Sequence, residues 1–207
     1  VPTFPVLLLW QTATGGPPIP TLRLQVIPSS SLERSMAVRR RRTTSAPWLD
    51  FEPIDFSGNP NAMDAAIALT TAADLGSSTP SAGYGTPKSE TIAASINQKV
   101  MKFGRTTGQT SDSVWAINVT VNVCYADTDC MLEPDKLALF TNQIAIQPGG
   151  FSAPGDSGSL IVADRKGRTK ADKGKPVGLL FAGSSSFTFA SPIDVALSRF
   201  GVTVDGG

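Results

Sequence analysis

No histidine occurs anywhere in this 207-residue chain. Imidazole is the commonest general base and a frequent metal ligand, so chemistry that depends on it must be missing or carried by other side chains. Cysteine is nearly as scarce: Cys124 and Cys130 are the whole supply. Two thiols cannot complete a four-ligand zinc site, and neither a metal nor a cofactor is expected. Neither charge sign dominates, with 18 Lys and Arg against 17 Asp and Glu and a formal net charge of +1. Such a balance implies no nucleic-acid partner and no acidic one. A membrane-spanning run is missing as well. Pro5 to Trp10 is too short to cross a bilayer and has no basic residue before it, so it makes a poor signal peptide.

What the chain does have is a body of short apolar runs punctuated by Gly, Pro, Asn and Asp. This pattern predicts an all-β fold with strands near 51–56, 63–70, 99–104, 113–123, 137–146, 158–163, 176–182 and 186–190. Pro192 to Phe200 is the best helix candidate, with Pro at its start and Gly201 beyond its end. Residues 164–175, mostly Lys, Arg, Gly and Asp, read as an exposed hairpin loop. Cys124 and Cys130 flank Tyr-Ala-Asp-Thr-Asp, a spacing that permits a small disulfide loop and equally permits two free thiols. Asp112, Asp127 and Asp129 are expected in turns, as solvated carboxylates rather than calcium ligands.

The most informative stretch is Ala153-Pro154-Gly155-Asp156-Ser157-Gly158-Ser159-Leu160-Ile161-Val162. A serine hydroxyl becomes nucleophilic when a neighbouring base takes its proton, and the tetrahedral intermediate needs donors for its oxyanion. In Gly-Asp-Ser-Gly the first glycine lets the backbone turn so that its N–H and the serine N–H point to one spot. The apolar run after it supplies a packed strand. Three further segments add to this: Val100 to Thr110, Pro176 to Gly183, and Ser191 to Leu197.

In order and spacing these four segments resemble the trypsin-like (chymotrypsin-clan) serine proteases, in particular bacterial-type members, over roughly residues 51–205. The resemblance implies a chymotrypsin-like double β-barrel with a short C-terminal helix. It assigns residues 50–72 to a remnant of the first barrel, 73–96 to a linker, and 97–205 to the second barrel with its nucleophile loop. Ser157 would be the nucleophile, and the Gly155 and Ser157 N–H groups the oxyanion hole. Asp64, in the phrase Asn61-Ala62-Met63-Asp64-Ala65-Ala66-Ile67-Ala68, would be the acid that orients a histidine; Asp55 is the weaker competitor. Phe151 would lie at the base of the primary specificity pocket and disfavour a basic substrate residue. Phe181, Ala182 and Gly183 would supply the pocket wall and the backbone groups that pair with a peptide or protein substrate.

The histidine of that family precedes its aspartate, and here it does not exist. Lys99 and Lys102 are bases in principle, because serine-lysine pairs occur, but the resemblance is to a family that uses histidine. The triad is therefore expected to be incomplete and catalysis nearly lost, with a residual acceleration of roughly 10³–10⁴ over water from an oxyanion hole alone. Residues 1–49 add a second anomaly. They are rich in Pro, Arg, Ser, Thr and Leu, with Glu33 as the one acidic residue, and carry the run Arg39-Arg40-Arg41-Arg42. They read as a disordered basic tail, or as a translation in the wrong frame. Shifted back one nucleotide, the degenerate codons of Val26 to Glu33 are compatible with Gly-Asp-Pro-Ile-Leu-Gln-Pro-Gly. The codon of Thr14 then permits histidine. Such phrases resemble the stretch between the histidine and aspartate strands of the same proteases, so the first barrel is expected to be incomplete. Three functions follow: a serine endopeptidase by descent, a non-catalytic homologue that binds peptides or proteins, and a broken gene product.

Overall fold

The computed structural model of the chain describes residues 7–11, 21–23, 49–69, 77–126, 130–164 and 170–206. Asp127, Asp129 and the Arg39–Arg42 run lie outside them. The described elements are β1 (Leu7–Gln11), β2 (Thr21–Arg23), β3 (Leu49–Phe51), β4 (Ala66–Leu69), β5 (Lys99–Gly104), β6 (Gly108–Cys124), β7 (Leu137–Gln147), β8 (Leu160–Ala163), β9 (Pro176–Gly183), β10 (Thr188–Pro192), α1 (Ile193–Phe200) and β11 (Thr203–Val204).

Six strands close a barrel in the order β10-β7-β6-β5-β8-β9, and all of its pairings are antiparallel. β8 and β9 are buried on both faces, whereas β6 alternates and is largely half-buried or exposed. Successive side chains point to opposite faces of a strand. Ile161 and Ala163 accordingly join Val100, Val114, Ile146 and Leu180 in one core cluster, while Leu160 and Val162 join Met101, Phe140, Leu179 and Phe181 in another. The second cluster takes in Ile193 and Ala196 of α1 and Met63 and Ala65 of the segment before β4.

The remaining described strands form a five-stranded sheet, β11-β2-β1-β4-β3. β1 pairs antiparallel with β2 and parallel with β4, so two strands fall within the compositionally odd first 49 residues. The segment before β4 is joined to the barrel by backbone and side-chain hydrogen bonds. Asn61 bridges Phe140, its N–H donating to Leu139 O at 2.8 Å while Thr141 N–H donates to Asn61 O at 3.1 Å. Gln143 Nε2, fully buried, donates to Ala62 O at 2.9 Å.

Several boundaries differ from the sequence expectation for physical reasons. β6 begins at Gly108, well before the alternating run at 113, because a tight turn from Gly104 returns the chain directly onto β5. Asp112 therefore lies inside a strand, where its carboxylate accepts from the Ser113 N–H. The strand expected over 51–56 ends at Phe51, with Glu52 N–H still donating to Ala65 O at 2.9 Å. β11 was not expected, because a two-residue strand has no periodicity to read. The expected linker is laced to the barrel: Lys88 N–H donates to Gly174 O and Ile92 N–H to Pro176 O, both at 2.9 Å. Cys124 and Cys130 are joined in a disulfide.

Candidate active site

Ser157 lies on the turn between the buried Phe151 segment and β8. Its Oγ donates to Phe181 O on β9 at 3.4 Å. The backbone just after it is stitched to the same strand, Gly158 N–H donating to Leu180 O at 2.8 Å and Leu180 N–H to Ser159 O at 3.1 Å. The strand expected to lie beside a substrate thus also holds the serine. Gly155 has φ +98°, a left-handed conformation that side chains disfavour, and a Cβ there would stand 2.7 Å from Thr106 Oγ1.

Asp156 points the opposite way from Ser157 and is 0% exposed. Its carboxylate accepts from Thr106 N–H at 2.7 Å, Thr107 N–H at 3.2 Å, Thr107 Oγ1 at 2.6 Å and Ala153 N–H at 3.1 Å. Lys102 Nζ, equally buried, stands 3.2 Å from Asp156 Oδ2. Desolvation alone would push the Asp156 carboxyl up. The donors from Thr107, Thr106 and Ala153, together with the Lys102 charge, outweigh it and hold the group below its ordinary value.

Both lysines considered as bases are committed elsewhere. Lys102 donates to Thr107 Oγ1 and to Gly108 O in addition to facing Asp156. Burial pushes its ammonium down, against the pull of Asp156. Lys99 Nζ donates to Ser113 Oγ. Strand alternation carries a signal for Lys102: it shares parity with Val100, whose side chain faces the core.

The two aspartates considered as orienting acids separate cleanly. Asp55 accepts from Ser57 N–H, Ser57 Oγ and Asn59 Nδ2, and these bonds hold its carboxyl below the ordinary value, as in a polar turn. Asp64 is 2% exposed and accepts from Tyr125 Oη at 2.7 Å. Tyr125 stacks on Phe140 at 6.4 Å between centroids, and Phe140 meets Phe181 at 4.9 Å. Tyr125, which donates to Asp64, is thus linked through Phe140 to Phe181, whose backbone carbonyl accepts from Ser157 Oγ. Burial, then the Asp64 charge and its hydrogen bond, push the Tyr125 phenol strongly up, so it remains a donor. Sequence reading missed Tyr125, because nothing in a lone tyrosine beside a cysteine marks a carboxylate partner. Tyr125→Phe is expected to lower stability by about 1.5–3 kcal/mol, the worth of a hydrogen bond to a charged group. Urea unfolding reads this, and a change under about 0.5 kcal/mol would show that the bond contributes little.

The expected pocket residues are only partly available. Phe151 is 2% exposed with its ring inside the barrel, Lys102 Nζ lying 5.8 Å from the ring centroid, and its carbonyl accepts from Thr110 Oγ1. The Phe181 ring is fully buried against Phe140. Ala182 is nearly buried and Gly183 is exposed. Between them and Phe151 sits a hydroxyl pair that sequence reading missed, Ser152 Oγ and Thr188 Oγ1 at 2.6 Å. Among the described residues no cluster of carboxylates and thiols could hold a metal, and no helix is long and apolar enough to cross a membrane.

A solved chymotrypsin from Cellulomonas bogoriensis superposes with a TM-score of 0.50 at 23% identity, covering 73% of this chain and 72% of that one. The chain has the chymotrypsin fold. Other solved structures similar to this chymotrypsin-fold chain are bacterial serine proteases too. Nocardiopsis protease matches at 15% identity and a TM-score of 0.49, over 96% of each chain. A glutamic acid-specific serine protease, described as using a histidine triad in substrate binding, is 27% identical with a TM-score of 0.42. That match covers 58% of this chain and spans 55% of that protease. No family model matches the sequence, and no curated protein matches it.

Proposed function

We propose that this chain is a serine endopeptidase of the trypsin-like kind by descent, with peptide or protein as its substrate class and with catalysis nearly lost. Ser157 is the nucleophile that would form the acyl-enzyme, Asp64 the acid that would orient a base, and the Gly155 and Ser157 N–H groups the oxyanion donors. The observation that carries this reading is the nucleophile turn itself. Ser157 is held beside the β9 backbone while Asp156 is drawn to the opposite side by Thr106, Thr107 and Lys102. What limits catalysis is the base. The chain has no histidine, and the ammonium of Lys102 is buried against Asp156. A serine without a proton acceptor remains a weak nucleophile.

A second reading is favoured by one feature. Ala182 and Gly183 end β9 beside the serine, and Gly183 is exposed, which suits pairing with an extended peptide. A non-catalytic peptide binder would keep that edge and dispense with the base.

Both readings are separated by exposing the protein to a serine-directed fluorophosphonate and mapping the adduct. The expected result is labelling confined to Ser157, absent in Ser157→Ala, at a rate at least ~10³-fold below that of an intact triad protease. Labelling as fast as an active protease would overturn the loss of catalysis. Labelling spread over surface serines would overturn Ser157 as nucleophile and leave the peptide binder.

A further inference from the structure

We propose that the Cys124–Cys130 disulfide makes the Asp64 site redox-dependent: the crosslink fixes Tyr125 as a hydrogen-bond donor to Asp64, and reduction by a dithiol withdraws that donor. The meaning of this for catalysis rests on the reading of Asp64 as the acid that would orient a base, and deepens it by naming what controls the acid.

Tyr125 follows Cys124, the last residue of β6. Up to that point the chain is held by the ladder, Cys124 standing opposite Leu137 and Tyr125 N–H donating to Lys136 O at 2.9 Å. The chain then leaves the ladder and rejoins it at Leu137. Ala126 is buried, but on the return arm Met131 and Leu132 are 89% and 78% exposed. Burial offers little to hold that arm. The disulfide ties it to the end of β6 across a sequence separation of 6. A crosslink that closes a short loop removes the conformations in which the loop swings open. Tyr125 lies inside that loop.

The Tyr125 side chain reaches from the barrel hairpin to the segment before β4. Its hydroxyl donates to Asp64 Oδ2 at 2.7 Å, a buried carboxylate 61 positions away in the chain. A carboxylate that water cannot reach needs such donors. The ring meets Phe56 edge-on at 5.5 Å between centroids and stacks on Phe140. Phe140 is rigid in the barrel, whereas Phe56 is exposed, so the packing clamps the ring firmly on one side alone. The phenol keeps its place on Asp64 when its backbone is fixed as well.

Both cysteines are half-buried, so a small dithiol can reach them. Its thiolate attacks one sulfur to give a mixed disulfide, and its second thiol then closes on the first and departs as a cyclic disulfide. The dithiol is oxidised, two electrons and two protons pass to the protein, and Cys124 and Cys130 each end as a thiol. Residues 125–136 are then one loop without a crosslink, and Tyr125 is free to leave Asp64.

The test uses the full chain with tyrosine isotopically labelled at Cζ and read by carbon NMR. Tyr84 and Tyr125 are the only tyrosines, so Tyr84 serves as the internal control. Asp64→Asn marks where the Tyr125 signal lies without the carboxylate. Dithiothreitol, and separately the pair Cys124→Ser with Cys130→Ser, are expected to move the Tyr125 signal most of the way to that position while Tyr84 stays in place. Amide exchange at residues 61–66 is expected to speed about tenfold on reduction of wild type and to be unaffected by reduction in Tyr125→Phe. A Tyr125 signal that reduction does not move overturns the proposal, as does a reduction effect that persists in Tyr125→Phe. Joint loss of the Tyr84 signal and of barrel protection also overturns it, because the disulfide would then be a general staple. If the serine pair does not fold, dithiothreitol on the folded wild type gives the answer. Imidazole in solution supplies the base that the chain lacks. Imidazole that speeds fluorophosphonate labelling of Ser157 in oxidised wild type, and does so less in Asp64→Asn and in the serine pair, supports control of the acid. Imidazole without effect on oxidised wild type, with the Tyr125 result intact, overturns Asp64 as orienting acid and leaves the disulfide in control of the bond.

Discussion

Asp156→Ala is expected to cost this protein about 3–5 kcal/mol of stability, the loss seen when one member of a buried ion pair is removed. The variant strands Lys102, whose ammonium is 0% exposed, in an apolar barrel. It also leaves the Thr106, Thr107 and Ala153 N–H groups without the carboxylate they donate to. Urea unfolding measures the difference. A loss below about 1 kcal/mol would mean that water or another acceptor compensates, and the pair would then be of little weight. Acid titration offers a separate check. The Asp156 carboxyl is held below its ordinary value of 3.8, so the stability it contributes is present in full above that pH. It is lost as pH falls through the depressed folded-state value. Wild type should therefore lose stability below about pH 4 more steeply than Asp156→Asn does. Asp55 and Glu90 are also depressed but exposed, so screening makes their share small.

Phe140→Ala is expected to cost a similar amount, about 3–5 kcal/mol, for a different reason. The ring is 0% exposed and lies between Tyr125 and Phe181, so its removal opens a cavity where the sheet meets the barrel. Phe140 also bridges Asn61 through the backbone, three residues before Asp64. The cavity should loosen Tyr125 and with it the bond to Asp64. Thermal unfolding of Phe140→Ala and Phe140→Leu reads this, leucine recovering the larger part. Equal losses for both would point to strand geometry rather than to the cavity. Combining Phe140→Ala with Tyr125→Phe should give less than the sum of the two, because the residues share a contact.

Much of this molecule is legible in the order of its amino acids. The apolar runs with Gly, Pro and Asp punctuation mark the barrel strands: continuous runs for β8 and β9, buried on both faces, and an alternating run for the half-exposed β6. Ile193–Phe200 is legible through its flanks, Pro192 and Gly201. The nucleophile turn stands out because its chemistry demands a particular local sequence. What the amino-acid order does not decide is long-range pairing. It leaves Cys124 and Cys130 either joined or free, and the structure joins them. It does not give the surroundings of Asp55 and Asp64, one in a polar turn and one against Tyr125. It presents Lys102 as a possible base, whereas strand register turns it into the barrel toward Asp156, a carboxylate far along the chain. It does not show that the Phe151 and Phe181 rings are buried, which barrel closure brings about. Local order determines which segments become strands because periodicity is a property of neighbours. Which side chains meet depends on closure of the barrel, and closure depends on contacts between residues far apart in the chain.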